Sequence, residues 1–246
     1  MTSISRKLFK SITWRLTALF VLTAVGYLFL GSATVAGQVA IVYTIIQVLL
    51  FYFHEEVWEK IRWGTMGGVA VQFTGLSGAG KSTIALAVQE ELSRRGFEVE
   101  VIDGDEYRTN LCCDLGFSKE DRIENIRRLS FVAHKLAGQG KVSIIAAINP
   151  FEESREFLKN HASDHLSVHI DVPIEVAIER DVKGLYAKAL LPADDPNHIP
   201  NFTGISDPFE VPKNVDLTVD TSKLNLGECV GRVVQCIVKQ AKRRKS

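Results

Sequence analysis

The feature that most constrains the fold of this chain is a phosphate-binding loop pattern near its middle. Residues 75–83 read Gly-Leu-Ser-Gly-Ala-Gly-Lys-Ser-Thr, which satisfies G-x-x-x-x-G-K-[ST] and follows the strand-like run 69–74. The glycines let the backbone curl so that successive N–H groups point at phosphate oxygens. A helix that begins at the lysine adds the positive end of its dipole. The pattern therefore predicts an α/β domain that binds a nucleoside triphosphate.

Two side chains of this loop have specific expected roles. We expect Lys81 to reach the β- and γ-phosphates and the Ser82 hydroxyl to bind Mg²⁺, so ATP and Mg²⁺ are the predicted cofactors. A glycine-rich turn that arose by chance is the alternative, and the strand before it and the helical pattern after it argue against that. The predicted nucleotide-binding residues are Gly75, Leu76, Ser77, Gly78, Ala79, Gly80, Lys81, Ser82 and Thr83.

Apolar strand-like runs alternate with helical patterns after residue 68, which is typical of a parallel sheet covered by helices. The predicted strands are 69–74, 99–103, 142–147, 166–172 and 217–220, and the predicted helices are 81–95, 122–139, 152–160, 174–182 and 226–243. Ligands of such sheets bind beyond the carboxyl ends of the strands, where Gly75 and Asp103 fall. Five of the seven prolines lie within residues 192–212 and predict an irregular lid or substrate loop.

The N-terminal region has a different composition, because residues 16–53 contain no charged side chain. This stretch breaks at residues 31–37 into two apolar runs, each close to the roughly 20 residues that cross a bilayer. Basic residues lie before the first run and after the second, which predicts that both termini and the globular domain face the cytoplasm.

The prediction is a multi-pass membrane protein, in which a transmembrane helical hairpin (residues 1–64) contacts lipid and precedes a P-loop α/β domain (residues 65–246). A signal peptide and a pair of buried soluble helices are the alternatives for the hairpin. The whole chain is formally neutral, with 29 basic and 29 acidic residues. Because a nucleic-acid-binding domain usually carries a basic excess, no nucleic-acid partner is expected.

A second group of chemically capable residues follows the second predicted strand. Asp103 and Asp105 supply two carboxylates, and the next twenty residues add two arginines, a ring and an amide, namely Arg108, Arg122, Phe117 and Asn125. Guanidinium groups bind oxyanions as bidentate forks, so the group fits an anionic acceptor beside the phosphate loop. From the residues alone, Arg122 can equally pair with a neighbouring acid on a solvated helix face, and Phe117 can equally be core.

Through these residues the chain resembles the adenylylsulfate kinase (APS kinase) family, whose members phosphorylate the 3′-hydroxyl of adenosine 5′-phosphosulfate (APS) to give PAPS. The matching blocks are G-L-S-G-A-G-K-S-T from Gly75, D-G-D-x-x-R from Asp103, L-G-F-S-x-x-D-R-x-E-N-I-R-R from Leu115, D-V-K-G-L-Y from Asp181 and N-F-T-G-I from Asn201. The resemblance implies an ATP- and Mg²⁺-dependent kinase of sulfate activation, a homodimer, and sulfate adenylyltransferase as a candidate partner.

The resemblance also implies roles for individual residues. Lys81, Asp105 and Arg122 are the candidate catalytic residues, with Asp105 orienting the attacking hydroxyl or accepting its proton. Asp103 joins Ser82 around Mg²⁺, and Phe117 and Phe202 are the implied sandwich for the substrate adenine. The candidate substrate-binding residues are Asp105, Arg108, Phe117, Arg122, Asn125, Ile148, Asn149, Lys183, Asn201, Phe202 and Thr203.

Three departures from the family pattern lie on the substrate side. Asn149 stands where the family usually carries a serine associated with a phosphorylated enzyme form, Glu152 replaces a common arginine, and Pro200 replaces a common lysine. Two alternatives therefore stay open: an ATP-binding membrane regulator that has lost catalysis, and a P-loop kinase for another small acceptor.

The N-terminal region, residues 3–64, resembles a small two-span membrane domain of unknown function. The likeness rests on Trp14-Arg15 before the first apolar run and on His54-Glu-Glu-Val-Trp58 after the second. It implies a location for the chain and no chemistry.

Overall fold

The computed structural model describes residues 9–10, 12–14, 16–18, 33–60, 67–161 and 164–243. The chain divides into two compact units, with the division between Thr65 and Met66.

In the N-terminal unit, the described residues between 9 and 18 are helical, and helix α1 spans Ala33–Lys60. Over the part of the chain that the structure describes, no helix has the length and apolarity needed to cross a membrane. The predicted transmembrane hairpin is therefore not confirmed, and its residues 19–32 lie outside the described residues.

The two helical stretches of this unit contact each other in antiparallel order. Trp14 packs edge-on against Phe51, with 5.1 Å between ring centroids. One turn earlier on the first stretch and one turn later on the second, Lys10 forms an ion pair with Glu55 at 2.5 Å. An apolar contact and a charged contact thus fix the register of the pair.

The C-terminal unit contains five strands. They are β1 (Val69–Thr74), β2 (Val99–Asp103), β3 (Val142–Ala146), β4 (His165–Asp171) and β5 (Leu217–Asp220). The helices between and after them are α2 (Lys81–Arg94), α3 (Gly104–Asn110), α4 (Lys119–Gly138), α5 (Glu152–His161), α6 (Ile174–Arg180), α7 (Leu185–Ala189) and α8 (Leu226–Arg243).

All five strands form one parallel sheet in the order β2-β3-β1-β4-β5. β1 lies at the centre, where Val71 is opposite Ile144 on one side and Leu166 on the other. Helices cover both faces, which is why β1 is buried throughout, including its polar residues Gln72 and Thr74. The predicted parallel sheet with flanking helices is confirmed, and each strand begins and ends within one residue of its predicted bounds.

The helices agree less closely with the sequence prediction, which missed α3 and α7. The Asp103 side chain accepts a hydrogen bond from Asp105 N at 2.9 Å and caps α3 as soon as β2 ends. α4 begins at Lys119, three residues earlier than predicted, because Ser118 caps it by accepting from Asp121 N at 3.1 Å. Short helices with polar caps bury too little surface to give a periodic pattern.

Candidate active site

The phosphate loop connects β1 to α2 and has the backbone geometry that its glycines allow. Gly80 caps α2 with a φ of 93°, a conformation that side chains with a Cβ rarely adopt. A Cβ on Gly75 would lie 2.2 Å from the carbonyl oxygen of Ile170 on β4. Gly75 is therefore required by the close approach of two strands, whereas Gly80 is required by its backbone angle.

Lys81, the first residue of α2, lies folded against this loop. Its ammonium group donates to the carbonyl oxygens of Gly75 at 3.0 Å and Leu76 at 2.7 Å, and the residue is only 9% exposed. Burial, followed by the nearby charge of Lys183, lowers the pKa of Lys81 to about 8. A partly desolvated ammonium group that is held by carbonyl oxygens is well suited to exchange them for phosphate oxygens.

Ser82 and Asp103 bring two oxygen ligands together from separate elements. The Ser82 hydroxyl donates to Asp103 Oδ2 at 2.6 Å, while the other oxygen of Asp103 caps α3. A hydroxyl and a carboxylate beside a phosphate loop are hard oxygen ligands of the kind that Mg²⁺ prefers. The residues present therefore fit the predicted ion.

Asp105 and Lys183 form an ion pair at the mouth of the same cleft. Asp105 lies on the first turn of α3, and Lys183 lies in the turn between α6 and α7. Both side chains are exposed, so solvent screens the pair and keeps it weak. Each is available to a ligand that enters the cleft.

Arg122 on α4 is largely buried and reaches the irregular segment that follows Pro200. Its guanidinium donates to the Phe117 carbonyl at 2.9 Å, to the Thr203 hydroxyl at 2.5 Å and to the carbonyl of Asn201. Asp207 lies 3.7 Å away. The surface pairing considered from the sequence is therefore absent among these described contacts, and Arg122 instead joins α4 to the residues of the N-F-T-G-I block.

The two phenylalanines of the implied adenine sandwich lie in different surroundings. Phe117 is 62% exposed and has the Arg108 guanidinium 4.5 Å above its ring, so it is not core. Phe202 is 8% exposed and packs edge-on against Tyr186, with 5.0 Å between centroids. Phe117 lines the cleft and Phe202 does not.

Asn149 follows β3 and is buried with a φ of 47°, in the left-handed region. The Ser154 hydroxyl lies 2.5 Å from its Oδ1, and its carbonyl oxygen accepts from the Thr74 hydroxyl at 2.9 Å. The residue that departs from the family pattern is thus held on both its side chain and its backbone. Asparagine tolerates this backbone region better than most residues.

Arg155 on α5 is a buried residue for which the sequence predicted no role. It is 5% exposed and donates to the carbonyl oxygens of Asn149 at 2.9 Å and Glu210 at 2.8 Å. Its charge is paired with Glu152, whose Oε2 lies 2.6 Å from Nη2. The departure at Glu152 therefore supplies the counter-charge for a buried arginine that holds the end of the proline-rich segment.

A cleft of about 230 Å³ lies beyond the carboxyl ends of β1, β2 and β3 and collects most of the predicted site. Asn125 lines it with a buried side-chain oxygen that has no hydrogen-bond partner among the described residues. Six predicted residues lie outside the lining: Gly75, Leu76, Ala79, Asn201, Phe202 and Thr203. The first three belong to the phosphate loop itself. Asn201 and Thr203 accept hydrogen bonds from Arg122, and Phe202 packs against Tyr186.

Tyr186 also lines the cleft, although the sequence assigned it no role. Its hydroxyl donates to the carbonyl oxygen of Ser77 in the phosphate loop at 3.1 Å. The D-V-K-G-L-Y block contains this tyrosine, but the block gives no indication of which neighbour its hydroxyl reaches. Only the packing of α7 against the loop determines that.

Comparison with known proteins agrees with this geometry. The family model described as Adenylylsulphate kinase matches residues 67–220, and the model described as Predicted membrane protein (DUF2061) matches residues 8–59. A probable adenylyl-sulfate kinase of Synechocystis sp. is 47% identical over 171 residues, which cover 70% of this chain and 94% of the relative. A probable bifunctional SAT/APS kinase of Sorangium cellulosum is 46% identical over 169 residues, which cover 69% of this chain and 28% of the relative.

Among solved structures, the chain is similar to the Mycobacterium tuberculosis APS kinase CysC, determined in complex with AMPPNP and APS. The two share 40% identity with a TM-score of 0.65, over 70% of this chain and 98% of the other. The resemblance found from the sequence blocks is therefore confirmed.

Proposed function

This chain belongs to the adenylylsulphate kinase family, and we propose that it transfers the γ-phosphate of ATP to the 3′-hydroxyl of APS, giving PAPS and ADP. It is an ATP- and Mg²⁺-dependent phosphotransferase of sulfate activation. The observation that carries the proposal is a single cleft in which Lys81 and the Ser82–Asp103 pair face Asp105, Arg108 and Arg122. A donor site for phosphates and an acceptor site for a second anion thus share one cavity.

On the donor side, the loop N–H groups and Lys81 bind the phosphates of ATP. The Lys81 ammonium exchanges the carbonyl oxygens of Gly75 and Leu76 for phosphate oxygens, and the Lys81 side chain itself is already buried before ATP binds. Ser82 and Asp103 would hold Mg²⁺, which would supply positive charge against the phosphates of ATP. The protein contributes positioning and electrostatic stabilisation.

On the acceptor side, Asp105 orients the 3′-hydroxyl and accepts its proton as the phosphoryl group arrives. Lys183 pairs with Asp105 in the free protein, and this exposed pair opens at little cost to admit the hydroxyl. Arg108 and Arg122 bind the phosphosulfate oxygens. Asn125 offers its unpartnered side-chain oxygen to a hydrogen-bond donor of the substrate.

The direct test is APS-dependent ADP release from ATP and Mg²⁺ by full-length protein in detergent, with Lys81→Ala as the blank. Turnover that Lys81→Ala abolishes supports the kinase and means that Asn149 and Glu152 are compatible with activity. Asp105→Asn then separates an enzyme from a regulator. The enzyme loses turnover and keeps its ATP affinity, whereas a regulator without catalysis shows no turnover in either form.

A kinase for a different small acceptor is tested in the same assay. Shikimate and gluconate replace APS as acceptors, and each is also added in excess to the APS reaction. The proposal expects no ADP release with either compound and no competition against APS. Phosphorylation of either one, with none of APS, would move the assignment to that acceptor.

For the N-terminal unit we propose a membrane tether, with two helices in the lipid and both termini and the kinase domain on the cytoplasmic side. The match to a predicted membrane protein family and the antiparallel contacts of Trp14 with Phe51 support it. Exposed apolar side chains along α1, such as Leu49 and Phe53, also support it. Carbonate extraction of membranes and protease accessibility of the C-terminus test the tether and its orientation.

We further propose that the protein is a homodimer and works beside a sulfate adenylyltransferase. The probable bifunctional SAT/APS kinase of Sorangium cellulosum, whose name combines two activities, supports the second part. Light scattering of the detergent-solubilised protein measures the subunit number. Co-purification with a sulfate adenylyltransferase tests the partner, and a monomer with no such partner would refute both parts.

A further inference from the structure

Tyr186 is among the largest fully buried side chains, with 1% exposure, and it lies between the two halves of the site. Its hydroxyl donates to Ser77 O in the phosphate loop at 3.1 Å. This hydrogen bond joins the backbone of the loop to α7. The hydroxyl therefore acts on the half of the site that receives ATP.

The ring of the same tyrosine contacts the half that faces the acceptor. Phe202 packs against it edge-on, with an interplanar angle of 80° and 5.0 Å between centroids. The neighbours of Phe202 on either side, Asn201 and Thr203, receive the guanidinium of Arg122. A chain of three direct contacts thus joins the phosphate loop to the arginine that we assign to the phosphosulfate.

Hydrogen bonds to the backbone around Tyr186 fix the position from which its side chain extends. Asp181 Oδ1 accepts from Tyr186 N at 3.0 Å, and Asp181 Oδ2 accepts from Ala187 N at 2.9 Å, which closes the first turn of α7. Burial raises the pKa of Tyr186 to about 12, so its hydroxyl remains a donor over the whole physiological range. A rigid donor and a rigid ring meet the requirements for positioning two sites at once.

We propose that Tyr186 is a positioning residue with two separable links, in which its hydroxyl sets the phosphate loop for ATP and its ring sets residues 201–203 for APS. The link to ATP is independent of the acceptor. The link to APS rests on the proposed function. Removing the hydroxyl alone should therefore weaken nucleotide binding only, whereas removing the whole ring should also weaken APS binding.

The experiment measures binding directly on full-length protein in detergent by calorimetry, first with AMP-PNP and then with APS in the presence of AMP-PNP. Tyr186→Phe removes only the hydroxyl, and we expect the Kd for AMP-PNP to rise about three- to tenfold with the Kd for APS unchanged. Tyr186→Leu also removes the ring, and we expect it to add a rise of about three- to tenfold in the Kd for APS.

One matched control and one replacement variant accompany these two substitutions. Tyr107→Phe removes the hydroxyl of a tyrosine on α3 that does not line the cleft, and we expect both affinities to match wild type. If Tyr186→Leu does not fold, Tyr186→Met removes the same ring and leaves a flexible apolar side chain in its place.

Several outcomes would overturn the inference. Wild-type affinity for AMP-PNP in Tyr186→Phe excludes the hydroxyl link, and an unchanged APS affinity in Tyr186→Leu, or in its replacement, excludes the ring link. A lower melting temperature with both affinities unchanged would mean that Tyr186 stabilises the core and positions neither site. Failure of wild-type protein to bind APS at all overturns the proposed function and the ring link with it, while the result for AMP-PNP still decides the hydroxyl link.

Discussion

The Ser82 hydroxyl donates to Asp103 Oδ2 at 2.6 Å, although the two residues are 21 positions apart in the chain. Ser82 is on the first turn of α2 and Asp103 ends β2. β2 does not pair with β1, because β3 lies between them in the sheet. The contact therefore joins elements that are two strand positions apart in the sheet. It brings a hydroxyl and a carboxylate together at the carboxyl edge, where we propose that Mg²⁺ binds.

We predict that Asp103→Asn lowers kcat by about 10²–10³-fold, because it removes the charge that faces Mg²⁺. Asparagine is as good a helix cap as aspartate, so α3 should persist. A Mg²⁺ titration of the rate at fixed ATP measures the effect. The exposed carboxylate Glu106 on the same helix gives the control Glu106→Gln, which should behave as wild type. A normal Mg²⁺ dependence in Asp103→Asn would contradict the assignment.

A second prediction concerns protons. Burial depresses the pKa of Lys81 to about 8 in the free protein, and the negative phosphates of ATP raise it. At pH 8–9, ATP binding should therefore take up protons, and the Kd for ATP should rise as the pH increases past 8. Because Lys183 contributes to the depression, Lys183→Met should move the inflection to higher pH.

Calorimetry in two buffers with different ionisation enthalpies measures this proton uptake directly. The uptake should vanish near pH 6, where Lys81 is already protonated in the free protein. Equal apparent enthalpies in both buffers at pH 8.5 would mean that Lys81 keeps its proton throughout and that the depressed pKa is wrong.

The third prediction concerns stability and rests on the ion pair between the buried Arg155 and Glu152. Glu152→Gln removes the counter-charge of a buried guanidinium, and we expect a loss of about 1–3 kcal/mol in the free energy of unfolding. The matched control is Glu156→Gln on the same helix, because the Glu156–Lys159 pair is exposed and should be worth less than about 1 kcal/mol. Urea unfolding of both variants compares them. Equal stabilities would show that Glu152 is only a surface residue.

The fourth prediction concerns two glycines, whose replacement by alanine should change the stability of the protein in opposite directions. Gly204 has a φ of 92°, and a Cβ there would lie 3.0 Å from Leu76 Cδ2, so Gly204→Ala should destabilise the protein by about 1–2 kcal/mol. Gly231 lies exposed inside α8 with open space around it, so Gly231→Ala should stabilise it by about 0.5–1 kcal/mol. Thermal unfolding should show melting temperatures that move in opposite directions. A shift in the same direction for both would refute the conformational argument at Gly204.

A fifth prediction is that residues 65–246 alone form a soluble, active kinase. The division between Thr65 and Met66 and the complete sheet after it are the physical reasons. APS-dependent ADP release by the truncated protein should match the full-length rate within about twofold, since every described residue that lines the cleft belongs to the second unit. A folded truncation with no activity would show that the N-terminal unit is part of the catalytic machinery.

Much of the fold could be predicted because its signals are local. The buried run 69–74, the glycines of the loop and the helical pattern after Lys81 each depend on neighbours in sequence, and together they indicate a parallel sheet and its ligand edge. α3 and α7 were missed because each is too short to repeat an apolar face. The transmembrane hairpin was predicted from composition, and the described residues do not confirm it.

The candidate site also combines residues that the sequence reveals with contacts that it does not. The amino-acid sequence by itself determined which groups are available: the phosphate loop, the acids at 103 and 105, and the arginines at 108 and 122. Only the tertiary structure decided which of them meet. It placed Arg122 against Thr203, Phe202 against Tyr186, and the Arg155 guanidinium against the carbonyl oxygen of Glu210. Those contacts join residues up to 81 positions apart, and such pairings are set by the packing of helices on a sheet rather than by any local preference of the chain.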